Sequence, residues 1–414
     1  MSFEEEAPRV AVVSDSADPR AEPTRWFGPG VAGIGGASFL ADVGHEIPTS
    51  LLPSLLTSTI GAPASVLGAI EGVSDALAGV ARLGGGALAD DPHRRRSVAV
   101  GGYATTAVLS AGLGAAGSAA QVAVLRAGAW TARGLRVPAR NALLADIVPA
   151  DSYGRAYGFE RAMDNLGAIV GPLLAIVLVG AVGIRWAIGL SVIPGLLAAL
   201  AIVYAIRHTT APREQHRQPI RLRIRPVLHG RLGRLMIGIG AFELGNCAAT
   251  LLILRATELI QPGRSHDHAT QLALLLYVGY NVAATLVSIP AGRHGDRHGS
   301  TRMIAFGASC FAAAYVWFAF GPHDVIVLLP AFVLAGIGIG CAETAQHAAV
   351  ADLAPENLRG SAFGLLATIQ AAGNLAASTI AGILWTAASP AVAFLFLALA
   401  MITAIPLIAF STRS

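Results

Sequence analysis

Apolar runs long enough to cross a bilayer recur about every 25 to 35 residues from about position 30 to the end of the chain. About 20 apolar residues span a hydrocarbon core as a helix, and a helix satisfies its own backbone donors and acceptors where no water is present. The runs predict twelve spans, at about 30–57, 63–87, 97–116, 120–143, 161–181, 186–206, 232–256, 269–290, 302–320, 325–349, 361–386 and 391–411. Only 13% of the residues are charged, roughly half the share in soluble domains, against 54% hydrophobic. The expectation is an all-α membrane protein with twelve transmembrane helices.

The distribution of arginine orients these spans. The chain has no lysine, so its formal net charge of +4 comes from arginine alone. Arg94, Arg95, Arg96, Arg155, Arg293, Arg297, Arg302 and Arg359 fall in or beside the loops after even-numbered spans. The alternate loops hold only Arg185, Arg255 and Arg264. Basic residues collect in cytoplasmic loops, so both termini are expected in the cytoplasm of a multi-pass protein of the plasma or bacterial inner membrane. Residues 1–27 are polar and acidic, with no basic region ahead of an apolar core, and read as a cytoplasmic tail rather than a cleavable signal. Residues 207–231, rich in arginine, read as a cytoplasmic linker touching anionic lipid headgroups, with no nucleic-acid partner. Cys247, Cys310 and Cys341 lie in apolar stretches without metal-ligand spacing, and no disulfide framework is expected.

The chain repeats itself at an offset of 206 residues. Gly86 and Asp90 match Gly292 and Asp296, and Gly134 matches Gly340. Asp146, Pro149, Gly154, Gly158 and Gly167 match Asp352, Pro355, Gly360, Gly364 and Gly373. The matches run without a gap, which predicts two homologous six-helix halves, 28–206 and 232–414, the second ending in a short cytoplasmic tail. Six is even, so the halves run in the same orientation, a plan that places a solute site between them near mid-membrane.

Charges inside spans mark that site. Arg126, Arg133, Arg136 and Arg140 fall within about 80° on a helical wheel, a stripe about 21 Å long. An arginine at bilayer centre costs at least about 2.5 kcal/mol on insertion scales, so four of them need partners or a water-filled cavity. Asp42 with Glu46, and Glu71 with Asp75, are spaced to share a helix face. These four acids are proton-coupling candidates, since a carboxylate that gains and loses a cationic partner binds and releases a proton. Buried ion pairs that only hold helices together remain the alternative. The arginines, with Glu243, Asn246, Asn281 and Glu343, are candidates for binding solute; Gln346 is a further polar group, and helix-to-helix hydrogen bonding is the competing role. His266 and His268 lack a third metal ligand, and the glycines at 336, 338 and 340 lack the strand-and-helix setting of a nucleotide site. No phosphate-binding loop and no nucleophile beside a base are evident. The chain is expected to be no enzyme and to need no cofactor or metal.

Three motifs resemble the major facilitator superfamily, over about residues 28–411. Gly86 to Arg96, with Asp90 and Arg94, is similar to the loop motif after the second span, with Asp91 and His93 where Arg and Gly are usual. Gly292 to Arg302, with Asp296, Arg297 and Gly299, holds it in better form. Arg126, Gly134, Pro138 and Asp146 are similar to the arginine-containing motif of the fourth span. Gly158, Gly167, Gly171 and Pro172 resemble the fifth-span motif of proton-coupled drug antiporters, with Ala175 and Ile176 in place of a closing Gly-Gly. The resemblance implies a secondary transporter working by alternating access, and gating for Gly86, Asp90, Arg94, Asp146, Gly292, Asp296, Arg297 and Asp352. It further implies proton-coupled export of a small organic molecule by a monomer. An importer or facilitator of an organic anion is the alternative, and a non-transporting membrane sensor or scaffold is the alternative of another class.

Overall fold

The computed structural model describes residues 26–209, 220–321 and 324–410. The cytoplasmic tails and part of the arginine-rich linker, as read from the sequence, lie outside the described residues. Every regular element among the described residues is helical. The first six helices are α1 (Pro29–Ser54), α2 (Ala64–Ala89), α3 (Pro92–Gly112), α4 (Ala119–Ile147), α5 (Tyr153–Leu190) and α6 (Val192–Arg207). A short α7 (Ile224–Val227) leads into α8 (Gly230–Glu243), α9 (Ala249–Ile260), α10 (His266–His298) and α11 (Ser300–Phe320). The chain then forms α12 (Val325–Leu353), α13 (Arg359–Ala387) and α14 (Pro390–Phe410).

Local chemistry sets several of the starts. Asp91 accepts from the backbone N–H groups of His93 and Arg94, with Pro92 in the first turn, so the residue that departs from the expected loop motif is the N-cap of α3. Ser118 caps α4 and Asp324 caps α12 in the same way. Three predicted spans differ from the observed helices. The fifth and sixth meet at Gly183, whose φ of +80° is open to glycine and costly for other residues. Beyond it the chain runs back: α5 packs parallel to α1, with Gly167 on Asp42 and Gly171 on Glu46, whereas α6 packs antiparallel, with Gly33 on Ala205 and Gly44 on Gly195. The seventh span is broken into α8 and α9 at 244–248. There α13 serves the freed backbone groups, Asn374 Nδ2 donating to the Asn246 carbonyl and Ser378 Oγ accepting from the Ala248 N–H.

Seven segments are long and apolar enough to cross a membrane, and one of them, Ala150–Arg207, holds two passes. The remaining passes are α1, α2 and α4, which carry the intramembrane charges, and the broken α8–α9 pair. The twelve passes form two six-helix halves. Between them α5 packs on α10 and α2 on α13. Among the described residues, the hydrogen bonds and ion pairs joining the halves lie between the bundle middle and the end that carries the 207–231 connection. On one side they involve residues 79–82, 90, 146, 153–155 and 161; on the other, 296, 343, 359–361 and 367–368. The halves are shut at that end.

Candidate functional site

The shut end is held by two latches that exchange places between the halves. Asp90, at the end of α2, accepts from Ser361 N at 2.8 Å and Ser361 Oγ at 2.5 Å, at the start of α13. Asp296, 206 residues on, accepts from Gly154 N at 2.6 Å and Arg155 N at 3.1 Å, at the start of α5, and pairs with Arg155 Nε at 2.9 Å. A carboxylate at a helix N-terminus meets free N–H groups and the positive end of the helix dipole. The backbones touch beside each latch, Gly86 against Gly360 and Gly292 against Gly154, where a β-carbon would collide with a carbonyl. Burial pushes the Asp90 carboxyl above its usual range, against the pull of the Ser361 donors.

The other gating candidates divide. Asp146 bonds Arg95 and reaches Arg359 of the opposite half at 3.1 Å, while Arg359 also donates to the Tyr153 hydroxyl at 2.7 Å. Arg94 approaches Asp91 at 3.7 Å. Arg297 and Asp352 are exposed.

A ladder of charges fills the first half, from the open end inward. Arg126 pairs with Glu71 at 3.0 Å, donates to Thr49, and lies 3.3 Å over the Trp130 ring. Trp130 donates its indole N–H to Asp75 at 2.8 Å and stacks on His45. One step deeper, Arg133 contacts His45 Nε2 and pairs with Asp42 at 3.4 Å; His45 Nδ1 lies 3.3 Å from Glu46. Deeper still, Arg140 pairs with Glu160 at 2.8 Å and Asp164 at 3.5 Å and donates to Ser38 and Asn141. Arg161 binds the same two acids at 2.7 and 3.1 Å and reaches Glu343 of the other half at 3.7 Å. Arg136 points away from these three, onto Tyr103 of α3.

The second half answers with amides. Glu243 is 1% exposed and accepts from Asn246 Nδ2 at 2.8 Å and Gln346 Nε2 at 3.0 Å, and among the described residues it pairs with no arginine. Gln370 donates to Gln346 at 2.7 Å. Asn281 donates only to Tyr277 of its own helix. Gly158 packs on Ser288 of α10; Pro172 lies inside α5.

Sequence reading missed His45, Trp130, Glu160, Arg161, Asp164 and Gln370. Glu160, Arg161 and Asp164 sit at the expected edge of the fifth span, and α5 in fact begins eight residues earlier than that edge, at Tyr153. Three charges within five residues of an apolar helix, facing a repeat partner with Gln370, are the signal that was available.

Comparisons with known proteins agree with this architecture. The family model described as Major Facilitator Superfamily matches residues 34–254 and 260–414. An uncharacterized MFS-type transporter of Methanocaldococcus jannaschii is 28% identical over 366 residues, 88% of this chain and 90% of that protein. Among solved structures, a bacterial homologue of the iron transporter ferroportin in an outward-facing state superposes with a TM-score of 0.75 at 14% identity, covering 92% of this chain and 99% of that one. The human organic anion transporter MFSD10 superposes with a TM-score of 0.70 at 16% identity and the same coverage.

Proposed function

We propose that this chain, which belongs to the major facilitator superfamily, exchanges protons for a small organic solute by alternating access, with export as its working direction. Members of this family are membrane transporters and not enzymes. The observation that carries the proton is the charge balance at mid-bundle. Asp42, Glu46, Glu71, Asp75, Glu160, Asp164, Glu243 and Glu343 share the mid-bundle with Arg82, Arg126, Arg133, Arg136, Arg140 and Arg161, of which Arg136 is turned away onto Tyr103. Eight carboxyls meet six guanidiniums, and burying an unpaired charge is costly enough that the surplus acids take up positive charge. A proton supplies it in one state and a solute cation in the other. Asp42 is the carrier we favour, because it shares Arg133 with His45 at the long distance of 3.4 Å.

Arg133 remains 29% exposed beside Glu46 at 25%, which suits a solute bearing both charges better than a lipophilic cation. The arginine-rich loops lie at the shut end. Positive residues favour the cytoplasmic side, so that end faces the cytoplasm, both termini with it, and the state is outward-facing. Export is supported by the antiporter-like glycines, which bring α5 directly onto the two acids of α1. The test is proteoliposomes loaded with a pH-sensitive dye and offered a panel of amphoteric, cationic and anionic solutes. Solute-dependent proton movement is expected, lost in Asp42→Asn. Solute exchange without proton movement would sink the coupling, and greater cell accumulation on expression would reverse the direction.

A further inference from the structure

Arg136 is 4% exposed in the middle of α4, yet among the described residues it makes no hydrogen bond and no ion pair. Its guanidinium carbon lies 4.0 Å over the Tyr103 ring, close because Gly102 leaves room for the arginine stem against α3. A cation–π contact offsets part of a buried charge and leaves the guanidinium N–H groups unserved. The other intramembrane arginines of α4 each have a carboxylate within 3.4 Å. Arg136 has none.

It borders a small cavity between α1, α3, α4 and α6, with Tyr103, Thr106, Ser110, His45 and Gly44 among its walls. The volume is about 10 Å³, room for a single small guest. The Tyr103 hydroxyl and Ser110 Oγ are buried there without partners, in residues 1% and 2% exposed. The Thr106 hydroxyl is already spent on the Gly102 carbonyl. No carboxylate lines the cavity; Asp42, next to the lining residue Ala41 on α1, is bonded to Arg133, and Arg133 and Arg140 flank Arg136 along the helix. The walls therefore offer a fixed positive charge and two free hydroxyl donors to a guest that need only accept. A water molecule fits the space but brings no charge. The geometry points to a monatomic anion of the chloride class, bound inside the first half beside the charge ladder and outside the solute path. It neutralises the one arginine of α4 that has no acid partner. This site is independent of what solute is carried and of proton coupling.

The test uses the purified full-length chain in detergent, unfolded by heat in sodium chloride, bromide or gluconate at equal ionic strength. A ligand of the folded state raises the midpoint by mass action. Chloride and bromide are expected to raise it by roughly 2–4 °C over gluconate, which is too large to enter. Arg136→Gln is expected to abolish the difference. Tyr103→Phe, which deletes one hydroxyl from a retained ring, serves if the first variant does not fold. It is expected to shift the chloride titration roughly tenfold to higher concentration. Crystals grown in bromide are expected to carry an anomalous peak against the Arg136 guanidinium. Equal midpoints in chloride and gluconate, a chloride rise that survives Arg136→Gln, an unshifted titration in Tyr103→Phe, or a bromide soak with water alone in the cavity would each overturn the site.

Discussion

At the shut end the two halves are near copies, and at mid-bundle they are opposites. Asp90 caps α13 as Asp296 caps α5, and the glycines beside each latch meet in the same way. Deeper in the bundle, Arg140 of α4 is clasped by Glu160 and Asp164, where the equivalent place in the second half holds Gln346 against Gln370. Gly167 packs on Asp42 in the first half and its match Gly373 on Glu243 in the second, but Asp42 pairs with Arg133 whereas Glu243 is held by Asn246 and Gln346. Duplication therefore supplied two matching contacts at the shut end, while the mid-bundle arginines were built into the first half only. A rocking transporter needs symmetric contact where the halves separate, because each latch must break for the same motion. Charge pairing obeys no such requirement, and one charged wall facing an amide wall leaves Arg161–Glu343 as the ion pair by which the halves meet at mid-bundle.

The largest effect expected from this asymmetry is on stability. Arg140→Met strips two buried acids of a shared cation and is expected to cost about 3–5 kcal/mol. Its counterpart Gln346→Met removes hydrogen bonds to Glu243 and Gln370 but no cation, and is expected to cost about 1–3 kcal/mol. Thermal or denaturant unfolding in detergent measures both, and equal losses would break the contrast between the halves. Next come the backbone contacts. Gly154→Val and Gly360→Val occupy equivalent positions, and each places a side chain against the facing glycine carbonyl. Both are expected to disfavour the shut state by about 1–3 kcal/mol, read as a longer spin-label distance across that end. Opening in one variant and not the other would refute the equivalence of the latches.

The acids themselves are worth less. Asp296→Asn is expected to weaken closure by about 0.3–1 kcal/mol, since it loses the Arg155 ion pair, and Asp90→Asn by less, since burial disfavours the charge that the substitution removes. Reversal of that order in the same distance measurement would show that Ser361 Oγ outweighs the ion pair. The smallest expected effect is on pH dependence. Burial raises the Asp90 carboxyl, so its proton binds more tightly with the end shut than with it open. Closure should strengthen as pH falls, and that gain should vanish as pH rises through the raised value. Asp90→Asn should flatten its share of the profile; an unchanged profile would assign the pH dependence elsewhere.

Much of this protein was set by sequence alone. Twelve passes follow from apolar run length, because lipid allows one way to satisfy a spanning backbone. Two halves follow from a gapless repeat, and Asp90 and Asp296 were singled out by that repeat and by the resemblance of their loops to the family's motif. The importance of the α4 arginines was legible too, since charge inside an apolar helix is costly wherever it sits. Their partners were not. A helical period tells which residues share a face, but it does not tell how far a neighbouring helix is shifted or rotated. Only packing sent Arg136 to Tyr103, gave Arg140 two acids from an α5 that begins earlier than its apolar run, and broke the seventh pass where α13 could serve its backbone. Single-helix geometry and the cost of burying backbone and charge are written locally in the chain. The choice of which charge meets which is made between helices, at distances that only the assembled bundle defines.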